Sequence, residues 1–166
     1  MTTTKVGLVC EAGGPFKQLQ ILESGLEDFD RFYITYQTES TEGISDYLLN
    51  KKYQKVAGSV FERSLNIEKI LAPFYFASVF IHLLYIFICE RPDAIISTGD
   101  LTIAGPCFCI AKALGIRTIF IESVGQFEGP STAGRVLAPI SDRVLVQNRE
   151  TLNEHTEKAE YHGGIF

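Results

Sequence analysis

The 166-residue chain predicts about one domain, since domains usually run to ~100–200 residues. Its 46% hydrophobic and 21% charged content excludes a disordered chain, and a net charge of −5 argues against a nucleic-acid binder of the basic-patch kind. Mean hydropathy is +0.11, high for a soluble domain of this size, and most of the excess sits in one segment.

The opening residues, Met1 to Lys5, lack the basic start, apolar stretch and cleavage site of a signal peptide, so secretion is not expected. Val6-Gly7-Leu8-Val9-Cys10 reads as a buried strand. It ends in Glu11-Ala12-Gly13-Gly14-Pro15, where Pro15 suits the first position of a helix over Phe16–Leu26. Arg31–Tyr36 is a second strand, and Lys55–Phe61 a weaker third. Residues 37–54 are polar and punctuated, a loop with a short helix over Ile44–Leu49. A long helix over Asn66–Cys89 is broken at Arg91-Pro92-Asp93, and Ala94–Ser97 is a strand leading into Thr98-Gly99-Asp100. A helix over Leu101–Leu114 stops at Gly115, a C-terminal glycine. Arg117–Ile121 is the fifth strand, ending in Glu122-Ser123. Ser131 or Thr132 caps a short helix that ends before Pro139. Arg143–Val146 is the sixth strand, and Asn148–Lys158 is polar and partly helical.

Strands alternating with helices predict a doubly wound parallel sheet, a single Rossmann-like α/β domain over residues 1–166. With strand order 3-2-1-4-5-6, the loops after strands 1, 4 and 5 meet at the switch point where such sheets bind ligands. Glu11, Asp100 and Glu122 then converge on one crevice with Gly13, Gly14, Gly99 and Ser123. Gly13-Gly14 lets a ligand approach the backbone, with helix N–H groups turned to a phosphate, although it is not the dinucleotide fingerprint. The plainer reading also stands: a tight turn at Gly13-Gly14, a helix cap at Asp100 and a solvated loop residue at Glu122. His82, His155 and His162 read as structural or surface residues. Cys10, Cys89, Cys107 and Cys109 show no C-x-x-C spacing, so reduced thiols and no metal are expected.

Ile70–Cys89 carries no formal charge across its length apart from the titratable His82. A helix of that length reaches ~30 Å, enough for a bilayer core. Its weakly polar members, Tyr75, Ser78, His82, Tyr85 and Cys89, form one seam, and the other faces are apolar. A spanning helix would part the strands on either side of it. A helix lying on a membrane resolves this, with Phe74, Phe76, Phe80 and Phe87 meeting lipid; cover by a partner subunit is the alternative. Lys51, Lys52, Lys55, Arg63 and Lys69 precede it against only Glu62 and Glu68, a balance that suits anionic headgroups.

Val6–Gly14, Arg91–Gly99, Ile119–Ser123, Pro139–Asp142, Val146-Gln147 and Gly163-Gly164-Ile165-Phe166 together resemble the asparagine-linked-glycosylation protein 14 family, nearly end to end and in the same order. That family includes enhancer subunits of bacterial capsule and exopolysaccharide glycosyltransferases. The resemblance implies the N-terminal, acceptor-side half of a split GT-B glycosyltransferase. Such a chain sits on the cytoplasmic face of a membrane as a peripheral or monotopic protein. It recruits a separate donor-binding subunit that carries the UDP-sugar, so this chain itself holds no cofactor and is inactive alone. The implied reaction adds N-acetylglucosamine or a hexose to a polyprenyl- or dolichyl-diphosphate-linked saccharide. On this view Glu11 and Glu122 are the catalytic candidates, and Gly13, Gly14, Gly99, Asp100 and Ser123 bind the acceptor or its diphosphate. The C-terminal segment 160–166, above all Gly163, Gly164, Ile165 and Phe166, contacts the partner. The family usually has serine at the position of Glu11 and histidine at that of Pro15. Glu11 is then a base toward an acceptor hydroxyl, or the ligand differs, or the chain is a non-catalytic membrane adaptor that stimulates its partner.

Overall fold

The computed structural model describes residues 4–39, 41, 43, 47–49, 67–127 and 129–165, with side chains throughout except at Leu48 and residues 67–72. In chain order these form β1 (Lys5–Val9), α1 (Gly14–Glu23), β2 (Asp30–Tyr36), β3 (Tyr47–Leu49), α2 (Ile67–Glu90), β4 (Ala94–Ser97), α3 (Leu101–Leu114), β5 (Arg117–Ile121), α4 (Thr132–Ile140), β6 (Arg143–Val146), a 3-10 turn (Arg149–Glu154) and β7 (Ala159–Tyr161). The strands make one parallel sheet of order β3-β2-β1-β4-β5-β6-β7. The expected 2-1-4-5-6 order therefore holds, with Tyr47–Leu49 at one edge and β7 added at the other.

Period-two alternation divides the core between the two faces of the sheet. Val9, Phe32, Ile34, Tyr36, Ile95, Phe120 and Val144 face one side, where α2, α3 and α4 cover them. Val6, Leu8, Cys10, Tyr33, Ile96 and Ile121 face the other, where α1 brings Phe16 and Leu19 and the C-terminal segment brings Ile165. Parallel sheets need cover on both faces, which explains the long apolar runs in these strands.

Two expected elements change. Tyr47–Leu49 is a strand rather than part of a helix, because the open edge of β2 pairs with it (Ile34 opposite Tyr47, Tyr36 opposite Leu49) and edge pairing outweighs local propensity. The strand expected over Lys55–Phe61 and the basic run Lys51, Lys52, Lys55 and Arg63 lie outside the described residues, as does the side chain of Lys69. Helix α4 runs through Pro139 to Ile140, since the Ser141 N–H bonds Leu137 O at 3.0 Å and closes the turn beyond the proline. Gly115 ends α3 with φ 72°, as its position predicts.

Helix α2 buries one stripe, Val79, Leu83, Ile86 and Phe87, against the sheet. Phe87 is 1% exposed and belongs to the core, so its expected place on a lipid-facing surface is corrected: it falls on the stripe one turn beyond Leu83. Phe74, Phe76 and Phe80 do lie exposed, with Ile81, Tyr85 and Ile88. The Pro73–Glu90 stretch, mean hydropathy 1.6 and only 22% buried, is long and apolar enough to cross a membrane by length and composition. The strands on either side of α2, β3 and β4, belong to the same sheet, which is incompatible with a crossing. The helix end is fixed by Glu90, whose carboxylate meets Lys5 Nζ at 2.5 Å and accepts from the Tyr47 hydroxyl. Lys5, first, and Tyr47 hold that carboxyl below its usual range.

Candidate functional site

The carboxyl ends of β1, β4 and β5 are neighbours at the centre of the sheet, so the loops that follow them meet at the switch point. Cross-links between these loops fix the arrangement. Thr98 Oγ1 donates to Pro15 O (3.0 Å), tying the end of β4 to the start of α1. Buried Gln147, just past β6, donates from Nε2 to Gln18 Oε1 (3.1 Å) and Glu122 O (2.8 Å). Its Oε1 accepts the Ile165 N–H at 3.1 Å. One amide therefore joins α1, the end of β5 and the C-terminal segment.

The glycine loop is shaped for close approach. Gly13 has φ 103° and ψ −133°, and Gly99 has φ 118°, conformations that L side chains rarely adopt. At Gly13, Gly14 and Gly99 an added Cβ would meet no atom within 4 Å, so open space lies against the backbone. No side chain caps the start of α1, and Pro15 sits in its first turn.

Glu11 and Asp100 act on the same neighbours. Burial pushes the Cys10 thiol up to about 12, with the charges of Asp100 and Glu11 adding to it, and the same two charges follow burial in raising Tyr36. Asp100 caps α3: its Oδ1 accepts from the Thr102 N–H (3.0 Å) and the Thr102 hydroxyl (2.7 Å). Because Thr102 donates there, the Tyr36 hydroxyl, 2.8 Å away, donates to Thr102. Asp100 holds φ 72°, a backbone outlier for a non-glycine residue, and burial, opposed by Thr102, raises its carboxyl. This part of the crevice is acidic and rich in hydroxyls, a setting for ligand hydroxyls more than for a bare diphosphate.

Glu122 is placed differently from the expectation. Its side chain is 2% exposed. Oε1 accepts the Ser123 N–H (2.9 Å) and Oε2 the Ser131 N–H (3.1 Å). The carboxylate is thus enclosed at the N-terminus of α4, where the helix dipole favours it. A carboxylate so enclosed is turned to backbone N–H groups rather than to the open side of the crevice, which differs from the expected acceptor-facing placement. Ser123 is half-buried beside it. Ser131, rather than Thr132, is the cap of α4, accepting from the Gly134 N–H at 2.9 Å.

Gly163, Gly164 and Ile165 line an apolar groove of about 390 Å³ with Ile21, Leu22, Ile121 and Leu145. Phe166 lies outside the described residues. The cross-linking role of Gln147 and the full burial of the His155 side chain escape a reading of the sequence. Gln147 carries one usable signal, a polar residue directly after a buried strand; His155, in a polar segment, carries none.

The sequence profile of the family described as oligosaccharide biosynthesis protein Alg14-like matches residues 17–165. The chain belongs to that family. The match begins two residues beyond Pro15, so Glu11 and Pro15 lie outside it. A comparison with curated protein sequences finds no significant match. Among solved structures, MurG of Acinetobacter baumannii is similar with a TM-score of 0.72 at 17% identity, over 97% of this chain and 46% of that one. MnaA of S. aureus, solved with UDP, gives 0.68 at 11% identity, covering 98% and 44%. The UDP-GlcNAc 2-epimerase of Methanocaldococcus jannaschii gives 0.67 at 14%, covering 97% and 46%. Likeness at these identities is likeness of fold: the Alg14-like chain is one Rossmann half of the GT-B architecture and spans less than half of each of these proteins.

Proposed function

We propose that the chain is the membrane-associated, acceptor-side subunit of a two-component UDP-sugar glycosyltransferase that extends a lipid-diphosphate-linked saccharide. The observation that carries this reading is membership of the Alg14-like family in a chain that folds as one GT-B half. The donor site then belongs to a separate subunit, and the groove bordered by Gly163, Gly164 and Ile165 is the place for contact with it. Glu11 is the candidate base toward the acceptor hydroxyl, with Gly13, Gly14, Gly99, Asp100 and Ser123 around the acceptor. To test this, the chain is co-expressed with a donor-binding partner and assayed for sugar transfer to a lipid-diphosphate acceptor. Transfer is expected only with both subunits, and Glu11→Ala is expected to lower the rate ~10²–10⁴-fold, the usual contribution of a general base. Wild-type rates in Glu11→Ala remove that assignment. A partner fully active in detergent without this chain favours the second reading, a non-catalytic adaptor, for which Pro15 in place of the family's usual histidine speaks.

Association with the cytoplasmic face of a membrane is part of the same proposal. Phe74, Ile81, Tyr85 and Ile88 form an exposed apolar face opposite the stripe fixed to the sheet, and Phe76 and Phe80 are exposed in the N-terminal half of the same helix. Such a helix lies in the interface plane. Flotation with anionic liposomes is expected for the wild type and weakened in Phe74→Ser/Phe76→Ser/Phe80→Ser. Equal flotation of both proteins, or none of either, rejects this surface.

A further inference from the structure

A pair of buried titratable side chains lies just behind the crevice. The His155 side chain is 0% exposed, and its Nε2 stands 3.3 Å from Glu122 Oε2. Among the described residues neither ring nitrogen completes a directed hydrogen bond. The carboxylate is already engaged by the Ser123 and Ser131 N–H groups. A proton on Nε2, turned toward Oε2, is the tautomer such a neighbour selects. The charged residues on the surrounding elements, Arg135 on α4, Arg149, Glu150 and Glu154 on the 3-10 turn, and Glu157 and Lys158 after it, are all exposed.

The pair holds more than itself. Loop 123–131 leaves β5 beside the end of β4, and its backbone has a second set of ties. Asn148 Nδ2 donates to Val124 O (3.1 Å) and Gln126 O (2.7 Å). Asn148 and His155 flank the 3-10 turn Arg149–Glu154, so both anchors of the loop come from one short segment. We infer that His155 is a positioning residue: it holds Glu122 against the start of α4 and thereby sets the loop that carries Ser123 to the edge of the crevice. Its importance for the acceptor rests on the acceptor-side reading above.

Amide hydrogen exchange on the full chain tests the clasp without reference to activity. His155→Leu keeps the volume and removes the donor, while His155→Gln supplies an amide N–H in its place. His155→Leu is expected to speed exchange at Ser123 and Ser131 about tenfold, as the buried carboxylate loses its nearest polar side chain, with β1 unchanged and His155→Gln near wild type. If His155→Leu fails to fold, Glu122→Gln is read in the same way and is expected to give the same local acceleration. Unchanged exchange, equal acceleration throughout the sheet, or equal loss in His155→Gln overturns the inference. In the complex with its donor-binding partner, using UDP-N-acetylglucosamine and a polyprenyl-diphosphate-linked sugar as probes, His155→Leu is expected to raise the acceptor KM about tenfold by the same arithmetic and leave the donor KM unchanged. An unchanged acceptor KM, or both constants rising together, overturns the link to the acceptor. A wild-type complex with no transfer rejects the acceptor-side reading instead, and the exchange comparison still decides the clasp.

Discussion

Phe87→Ala is expected to destabilise the fold by about 3–5 kcal/mol, while Phe80→Ala costs only about 1 kcal/mol. The two residues lie on one helix seven positions apart, but their surroundings differ. Phe87 is 1% exposed in the cluster formed by β2, β4 and α3, whereas Phe80 is 42% exposed. Removing the Phe87 ring leaves a cavity under the sheet as well as the lost transfer energy; the Phe80 ring already meets water over part of its surface, so removing it leaves no closed cavity. Urea unfolding followed by circular dichroism measures both. A Phe87→Ala midpoint equal to that of Phe80→Ala would show that α2 does not sit on the sheet by the Val79–Leu83–Phe87 stripe.

Gly134→Ala should also be costly, at about 2 kcal/mol, although alanine favours a helix over glycine by roughly 1 kcal/mol. A Cβ at Gly134 would stand 2.2 Å from Glu122 Oε2 and 3.2 Å from Ser131 Oγ. A carboxylate at the end of a free side chain would swing aside, but this one is held by two backbone N–H groups and faces a buried imidazole. Moving it leaves buried donors without a partner. The diagnostic measurement is a double-mutant cycle. With Glu122→Ala in the background the methyl has room, so the pair should lose less than the sum of the single changes. Strict additivity would sink the explanation.

Much of the fold was legible because the strands announce themselves. Val6–Cys10, Ala94–Ser97 and Arg117–Ile121 are apolar runs bounded by turn residues, and the helices between them fix parallel pairing. The edge strands were not legible. Tyr47–Leu49 and Ala159–Tyr161 are three residues each, and only a neighbour's unpaired edge makes them strands. At the site, Gly13 and Gly99 were readable because positive φ selects for glycine, and adjacency of the loops followed from the strand order. The burial of Glu122 was not, because it depends on Ser131, Gly134 and His155, up to 33 positions away in sequence. The α2 pattern foretold an exposed apolar helix and misassigned one ring, since a helix apolar on nearly every side carries no internal mark of which stripe meets the sheet.

The place of β1 has a consequence for the order of assembly. It lies between β2 and β4, and the Lys5 N–H bonds Asp93 Oδ2 at 2.8 Å across 88 residues of chain. The sheet centre therefore cannot close until β4 has emerged from the ribosome, by which point all of α2 has emerged ahead of it. During that interval the stripe that will seat on β2 and β4 is bare along with the outer face, and both are sticky. The nascent chain is most vulnerable just before β4 emerges, and whatever shelters α2 at that moment acts as a folding aid as well as a destination.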